Sequence, residues 1–313
     1  MDQILTLTMN PAVDKSSAAP QVTPEEKIRC FEPSFEPGGG GLNVSRAIEK
    51  LGGASTSILP AGGTTGDLLK TLLENYPLDT KIVDIQASTR ENLTVLAESL
   101  GIQYRFVMPG PEISPEELLN VERTLEEFLP GTDYLVISGS LPRSVEPDFY
   151  ARVIQAANNK KTEVILDTSG EPLKSGLAEG VFLVKPNVGE LAKLAGSKIP
   201  EEPQQIASAR KLIEEGQTEV VVISAGAAGA FLVTEGESTH FRSPTVPIIS
   251  KVGAGDSMVA GITYGLADGR ELDESVRLGV AAGASAVMTS GTELCRQEDT
   301  FRLFGQIHET RVD

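Results

Sequence analysis

Short apolar runs alternate with amphipathic segments along most of the chain, and this alternation constrains the fold more than any other feature. Runs rich in Val, Ile and Leu predict buried strands over residues 4–9, 57–60, 134–138, 164–167, 182–185 and 220–224. Apolar residues at helical spacing predict helices between them, over residues 44–51, 67–73, 115–128, 148–157 and 204–215. Repeated β-α units of this kind build a mostly parallel sheet with helices on both faces, so we expect an α/β fold.

A second, smaller sheet is predicted where the alternation stops. Residues 27–35, and the pair 92–98 and 103–107, have strand-like patterns with no helix between them. Such strands could form a separate sheet that lies over the main body as a lid. We therefore expect one domain covering the whole chain, 1–313, with a β lid built from segments of about 15–37 and 89–107.

Charge and residue usage narrow the function classes. The chain has 27 Lys and Arg against 44 Asp and Glu, a net charge of −17, which would repel a phosphate backbone, so we expect no nucleic-acid partner. We also expect a cytoplasmic protein without membrane contact, because the start lacks signal-peptide features and no run approaches the ~20 apolar residues of a membrane span. Two cysteines and two histidines are too few for a disulfide framework, and they show no zinc-hydrolase spacing.

Four consecutive glycines, residues 38–41, are the first candidate for ligand binding. Without side chains they let the backbone approach a ligand closely, and a helix start that follows offers unpaired amides. No Gly-Lys-Ser/Thr follows at Walker A spacing, and Asn43 stands where GxGxxG needs its last glycine. The alternative is a flexible turn capped by Asn43.

The run Gly-Ala-Gly-Asp at residues 253–256, which leads into an apolar helix, is the second candidate. Glycines before a helix N-terminus gather backbone amides into an anion hole that suits a phosphoryl group. Asp256 beside such a hole could accept a proton from an attacking hydroxyl. The alternative is that Asp256 is an N-cap or a first-turn acid.

Two further groups of polar residues have competing explanations. Asn187 and Glu190 have the spacing of a capping box, which accounts for both, while the functional alternative makes them indirect ligands of Mg²⁺ through water. Basic residues in the predicted lid, Lys27, Arg90 and Arg105 among them, suit a phosphate dianion if they converge. Each alone is better explained as a solvated strand residue.

Three motifs in order give the chain a family resemblance: Asn-Pro-Ala-Val-Asp at residues 10–14, the glycine-rich turn with Asn43, and Gly-Ala-Gly-Asp at 253–256. Over nearly its whole length the sequence resembles the ribokinase-like sugar kinases of the PfkB carbohydrate-kinase family. The resemblance implies a three-layer α/β/α sandwich with a β-sheet lid. Residues 104–110 and 136–142 are most similar to the minor-type bacterial 6-phosphofructokinase branch.

The resemblance implies a role for each candidate residue. Asp256 would be the catalytic base, and Gly253, Ala254 and Gly255 the anion hole. The sugar phosphate would be bound by Asp14, Lys27, Gly39, Gly40, Asn43, Arg90, Arg105 and Ser140. The ATP side would comprise Lys185, Asn187, Ser224, Gly226 and Gly229. Asp167 and Glu190 would organise Mg²⁺ through water, and Ser250 and Val252 would bind a monovalent cation such as K⁺.

The resemblance also implies a reaction, a glycolytic one: ATP-dependent phosphorylation of fructose 6-phosphate at the C1 hydroxyl. Related 1-phosphofructokinases and tagatose-6-phosphate kinases usually carry a lysine in the glycine-rich turn, where this chain has Gly40, which favours fructose 6-phosphate. Those two activities stay open, as does a non-catalytic sugar-phosphate sensor. Relatives pair their lids between subunits, so we expect a homodimer, with ATP and a hexose phosphate as the small-molecule partners.

Overall fold

Two sheets carry the fold, in a computed structural model that describes residues 1–312. The strands are β1 (Ile4–Leu7), β2 (Ala12–Ala19), β3 (Ser34–Gly38), β4 (Thr56–Gly62), β5 (Asp79–Ile85), β6 (Arg90–Ala97), β7 (Ile102–Phe106), β8 (Tyr134–Ser138), β9 (Glu163–Asp167), β10 (Val181–Val184), β11 (Thr218–Ser224), β12 (Ala230–Val233), β13 (Ser238–Arg242) and β14 (His308–Arg311). The helices are α1 (Gly40–Lys50), α2 (Gly63–Leu73), α3 (Pro115–Phe128), α4 (Phe149–Asn158), α5 (Glu171–Leu177), α6 (Val188–Ala195), α7 (Glu202–Glu214), α8 (Ala254–Ala267), α9 (Leu272–Ala286) and α10 (Gln297–Phe304).

The main sheet has ten strands in the order β14-β13-β12-β11-β10-β9-β8-β1-β4-β5. The strands from β11 to β5 pair in parallel, and β12, β13 and β14 extend the sheet antiparallel. Each of the six strands expected from the sequence lies in this sheet, and each of the five expected helices is present. The α/β fold expected from the sequence is confirmed.

Helices cover both faces of the main sheet, and the strands alternate accordingly. On β8, Leu135 and Ile137 face the core formed with α3 to α7, whereas Val136 faces the core formed with α1, α8 and α9. All three side chains are fully buried, and each such burial contributes about 1.5–3 kcal/mol to folding. A run of consecutive apolar residues in this sheet is thus shared between two cores, which is typical of a parallel sheet between two helical layers.

A separate four-stranded sheet, which we call the lid, has the order β3-β2-β6-β7. The hairpin of β6 and β7 matches the expected strands, but the expected strand over residues 27–35 is wrong: β3 begins only at Ser34. The side chains of residues 27–32 are all exposed, so no buried face fixes this segment in the sheet. It is a loop whose Phe31 amide donates to the Ala18 carbonyl (2.8 Å). The structure also contains β2, which the sequence patterns do not predict. It pairs with β3 on one side and β6 on the other.

The order of strands reverses at β1, which lies between β8 and β4. In open α/β sheets, ligands bind at the carboxyl ends of strands beside such a reversal. The start of α1 approaches this edge closely, because a Cβ added to Gly40 would lie 2.5 Å from Ser138 Oγ and 2.7 Å from the Gly139 amide nitrogen. The lid strand β2 leaves the same edge, three residues after Met9. Within residues 1–312, no helix combines the length and apolar character needed to cross a membrane.

Candidate active site

The turn at residues 253–256 begins helix α8 and presents free backbone amides. Gly253 is the N-cap with φ +75°, a left-handed conformation that favours glycine, and the first intrahelical bond runs from the Ser257 amide to the Gly253 carbonyl (2.8 Å). The amides of residues 254–256 therefore precede the helical ladder, at the positive end of the helix dipole. Asp256 is a first-turn acid, as one alternative predicted, and the N-cap alternative is wrong.

Asp256 is held by Asn43 of α1. Asn43 Nδ2 donates a hydrogen bond of 2.8 Å to Asp256 Oδ2. Asn43 lies inside α1, whose N-cap is Gly39, so the alternative of an Asn43-capped turn is wrong. Burial raises the pKa of Asp256 to about 6, assisted by Asp167, while Asn43 and Lys185 oppose the rise. A carboxylate with this pKa is ionised at pH 7 yet basic enough to accept a proton.

A polar cavity of about 270 Å³ lies between the lid and the start of α8. Arg90 on β6 and Arg105 on β7 enter it from the lid, and Asp14 enters from β2. Burial raises the pKa of Asp14, although Asn92 Nδ2 donates to its Oδ1 (2.8 Å). The predicted site residues that line this cavity are Asp14, Gly39, Asn43, Arg90, Arg105, Val252, Gly253 and Asp256.

The two lid arginines differ in how they are held. Arg90 donates to the carbonyls of Asn10 (2.8 Å) and Met108 (3.2 Å), and burial lowers its pKa against the opposing charge of Asp14. Arg105 is exposed on β7. In the part of the chain that the structure describes, Arg105 has neither an ion pair nor a side-chain hydrogen bond. The cavity thus holds one fixed guanidinium and one that is free to bind an anion.

An apolar cavity of about 470 Å³ lies on the other side of the same turn. Val246, Met258 and Val280 form apolar walls, as a flat aromatic base requires. The predicted site residues that line it are Asn187, Ser224, Gly226, Gly229, Ala254 and Gly255. Consecutive residues of one turn therefore divide between the two cavities: Val252, Gly253 and Asp256 face the polar one, and Ala254 and Gly255 face the apolar one.

Lys185 brings a buried positive charge to this turn. Its Nζ lies 3.0 Å from Asp167 Oδ1, and a Cβ added to Gly255 would lie 3.7 Å from the same nitrogen. Burial alone would lower the pKa of Lys185, but Asp167, Glu190 and Asp256 outweigh it and raise the pKa. The ammonium group therefore stays charged beside the turn.

Asn187 and Glu190 form the capping box of α6. Asn187 Oδ1 accepts from the Glu190 amide and Glu190 Oε2 accepts from the Asn187 amide, both at 2.9 Å. The structural account of this pair is thus confirmed.

Among residues 1–312, no three His, Cys, Asp or Glu side chains form a direct metal cage. Mg²⁺ commonly keeps several bound waters and binds nucleotide phosphates with one or two carboxylates. Asp167 and Glu190 therefore fit a role in which they would contact the ion through its waters.

The loop before α8 contains the residues expected to bind a monovalent cation. Ser250 is buried, accepts from the Val252 amide (3.2 Å) and donates to the Gly291 carbonyl (3.3 Å). Its hydroxyl therefore fixes the loop that leads into Gly253. A cation at this loop would be bound through backbone oxygens.

The family comparison agrees with this geometry. The sequence model of the pfkB family carbohydrate kinases matches residues 5–299. The chain belongs to the pfkB family of carbohydrate kinases. Its α/β body and separate small sheet are the ribokinase-like fold of that family, and it is a sugar kinase by membership.

Two relatives show where this pfkB kinase lies within the family. The "ATP-dependent 6-phosphofructokinase isozyme 2" of Mycobacterium tuberculosis is 46% identical over 302 residues, covering 96% of this chain and 89% of the relative. Phosphofructokinase-2 from Escherichia coli has solved structures with potassium (TM-score 0.94, 42% identity), with fructose-6-phosphate (0.93, 41%) and as a tetrameric inhibited form (0.92, 41%). Each covers 98% of this chain and 99% of the relative.

Some residues predicted for the site of this pfkB kinase lie outside both cavities. Lys27 is exposed in the loop before β3 and lines neither cavity. Gly40 packs against β8, as described above. Ser140 is bonded through its Oγ to Asn10 Nδ2 (3.2 Å), next to the Arg90 anchor, without facing the polar cavity. These three remain predictions for the substrate site.

The structure also adds polar residues that sequence reasoning missed. Asn92 lies two positions after Arg90 on β6, so the period of a strand places both on one face and could have identified it. Thr292 lines the polar cavity from a loop far along the chain. Thr292 has no local sequence signal, because only the tertiary fold brings it to this site. Arg46 lies three residues after Asn43 on α1, so helical spacing could have placed it beside Asn43.

Proposed function

We propose that this chain is an ATP-dependent 6-phosphofructokinase, which transfers the γ-phosphoryl group of ATP to the C1 hydroxyl of fructose 6-phosphate. One observation carries the proposal: a single helix N-terminus separates a polar cavity containing two arginines from an apolar cavity lined by Ser224 and Gly226. A sugar phosphate fits the first and an adenine nucleotide fits the second. The names of the M. tuberculosis and E. coli relatives support the same reaction.

The proposed chemistry follows from the turn at 253–256. Asp256 accepts the proton of the C1 hydroxyl while the hydroxyl oxygen forms a bond to the γ-phosphorus of ATP. The bond between the γ-phosphorus and the β-γ bridging oxygen breaks, and that oxygen leaves with ADP. The amides of residues 254–256 stabilise charge on the phosphoryl group in transit. Lys185 adds a positive charge beside Gly255. Mg²⁺, with Asp167 and Glu190 around it, would neutralise charge on the ATP phosphates when bound.

The acceptor is oriented by groups from the lid. Arg90 and Arg105 bind the 6-phosphate, and Asp14 and Asn43 bind sugar hydroxyls in this proposal. Arginine forks match phosphate geometry and give charge-assisted hydrogen bonds. Anchoring the phosphate in the lid leaves the opposite end of the sugar to face Asp256. Ser140 and Gly39 would complete the wall of the sugar-phosphate site. Lys27 would reach this site only after a movement of its loop or from a second subunit.

A substrate panel tests the proposed function. ADP release with Mg-ATP is measured against fructose 6-phosphate, tagatose 6-phosphate, fructose 1-phosphate and fructose. A kcat/KM for fructose 6-phosphate well above the others supports the proposal. A preference for tagatose 6-phosphate or fructose 1-phosphate would keep the chemistry and overturn the substrate. The absence of turnover on all four would favour a sugar-phosphate sensor.

The pH dependence of this reaction follows from Asp256. The ionised carboxylate is the active form and its pKa is raised to about 6, so kcat/KM should fall about tenfold per pH unit below 6 and level off above about 7. Initial rates at limiting fructose 6-phosphate, measured from pH 5 to 8.5, check this. A flat profile across pH 6 would exclude Asp256 as the base.

Cations complete the proposal. Mg²⁺ with ATP and a monovalent ion at Ser250 and Val252 are expected, the second supported by the E. coli structure with potassium. Exchange of K⁺ for tetramethylammonium at constant ionic strength would reveal a required monovalent ion as a loss of activity.

The cytoplasmic location expected from the sequence stays a prediction.

We also propose that the lids of two chains pair to form a homodimer. Exposed apolar side chains cluster on and beside the lid, with exposed fractions of 52% at Phe31, 60% at Leu100 and 49% at Ile102. Burying such surface between subunits is favourable by roughly 25 cal/mol per Å². The tetrameric E. coli form makes a larger assembly a further outcome to distinguish.

A charge placed on the lid should weaken this dimer. Phe31→Asp is expected to raise the dimer dissociation constant at least about tenfold, because an ionised carboxylate resists burial. Leu119→Asp on α3 is the matched control, since Leu119 is also 50% exposed but lies outside the lid. Sedimentation velocity measures the dimer dissociation constants of both variants. A wild-type monomer, or equal effects of the two variants, would refute the lid interface.

A further inference from the structure

Arg46 on α1 is a buried cation that the proposed chemistry does not use. It is 1% exposed, and arginine is seldom buried without partners. Its NH1 donates to the Pro37 carbonyl (2.7 Å) and to Asn43 Oδ1 (3.3 Å), and its NH2 donates to Tyr76 Oη (2.9 Å). Glu36 Oε1 lies 3.6 Å away and compensates its charge.

The contact with Asn43 decides which way that carboxamide points. A carboxamide has an acceptor on one side and a donor on the other. Because Arg46 donates to Asn43 Oδ1, the Nδ2 group is directed to Asp256 Oδ2. The opposite orientation would set an oxygen against the carboxylate and an NH₂ group against the guanidinium, both unfavourable. Arg46 thus orients the hydrogen-bond donor that holds Asp256.

Glu36 connects the same cation to the turn that forms the anion hole. Its second oxygen, Oε2, accepts from the Thr292 amide (2.8 Å) and from Thr292 Oγ1 (2.7 Å). Two residues later, Leu294 packs against the helix start, since a Cβ on Gly253 would lie 2.5 Å from Leu294 Cδ2. The Glu36 carboxylate therefore contacts Arg46, which orients Asn43, and also Thr292, which lies two residues before Leu294.

We propose that Arg46 and Glu36 are positioning residues, which fix Asp256 and the residue 253–256 turn relative to the lid strand β3. This inference rests on the proposed kinase reaction and adds two residues to it. Glu36 belongs to the lid, Arg46 to the body, and their contacts reach the base through Asn43 and the anion hole through Thr292. The position of the lid is thereby coupled to the geometry of phosphoryl transfer.

Glu36→Gln is the first test. Glutamine has one oxygen, so it can accept from Thr292 or face Arg46 with an acceptor, but not both. We expect kcat to fall about tenfold, since small displacements of reacting groups reduce rates steeply, while KM for ATP and for sugar phosphate stays within about twofold. Glu91→Gln is the matched control: Glu91 is an exposed lid carboxylate that accepts from Thr65 Oγ1 (3.3 Å), and its variant should keep wild-type kcat.

Two further variants test the connections on each side of Glu36. Thr292→Val keeps the side-chain shape and removes the Oγ1 donor, and Arg46→Lys keeps the charge but loses the fork that joins Asn43 to Glu36. Both should lower kcat. Combined with Glu36→Gln, each should give a loss smaller than the product of the single losses, as expected for residues acting through one network.

The outcomes separate this inference from the proposed function. Rates are measured on the sugar phosphate that the wild type converts fastest, so a different preferred sugar overturns the substrate and leaves the test intact. A wild type without kinase activity overturns both. Wild-type kcat in both Glu36→Gln and Thr292→Val, losses confined to KM or Tm, or combined losses equal to the product of the single losses would overturn the positioning role alone.

Discussion

Asp256→Asn is expected to lower kcat by about 10²–10⁴-fold, the usual contribution of a general base. The amide keeps an oxygen that can accept from Asn43 Nδ2 but cannot take the proton of the C1 hydroxyl. KM for fructose 6-phosphate and for Mg-ATP should change little, because the lid arginines and the apolar cavity are untouched. Steady-state kinetics with a coupled ADP assay measure both parameters, and a kcat equal to that of the wild type would remove Asp256 from the chemistry.

The same variant should not lose stability, which separates a catalytic from a folding defect. Burial raises the pKa of Asp256 to about 6 from 3.8, so the ionised group costs the folded state at most about 3 kcal/mol. This cost is present above pH 6, declines as the pH falls toward 4, and vanishes when the carboxyl is protonated in both states. At pH 8 the Tm of Asp256→Asn should therefore equal or exceed that of the wild type. A large fall in Tm would contradict this account.

Arg105→Gln is expected to raise KM for fructose 6-phosphate about 10–100-fold, with a smaller effect on kcat. A hydrogen bond to a charged group contributes about 1.5–3 kcal/mol, and Arg105 has no partner among the described residues that would compete with a phosphate. Because its side chain is exposed, folding should be unaffected. The result would be read from initial rates across fructose 6-phosphate concentrations at saturating Mg-ATP.

Arg123→Gln provides the matched control for charge. Arg123 is an exposed arginine on α3 that lines neither cavity, so its variant changes the net charge equally. It should leave KM for fructose 6-phosphate unchanged. If the two variants raised KM alike, the effect of Arg105 would be one of long-range charge, and its place at the phosphate would be wrong.

The body of the fold could be predicted from the sequence because its signals are local. Each central strand is a buried apolar run, such as β8, and each expected helix has an apolar stripe. The lid was harder to predict. Strand β2 has the sequence AVDKSSAA, which has little intrinsic strand preference, and it is extended because β3 and β6 pair with both of its edges. Tertiary pairing of this kind leaves no periodicity to detect.

The candidate site shows the same division. Asp256, Asn43 and the glycines around them stand in motifs, and the structure brings these residues together at one helix start. Thr292 stands in no motif, because its contact with Glu36 joins positions 36 and 292. Glu36 and Arg46 flank the glycine-rich turn, but their contact with each other forms only in the fold. Lys27 illustrates the opposite limit. Its charge suits a phosphate site, but the structure leaves it exposed in a loop and outside the lining of both cavities, so its role stays a prediction.

The two cavities are built from different stretches of the chain. Apart from the shared turn and Thr292, the polar cavity is lined by residues 14–107, whereas the apolar cavity is lined by residues 187–287. With the polar cavity proposed for the sugar and the apolar cavity for the nucleotide, substitutions in the first third of the gene would change which sugar is accepted while the choice of phosphoryl donor is conserved. Acceptor and donor preference can evolve independently in such an architecture.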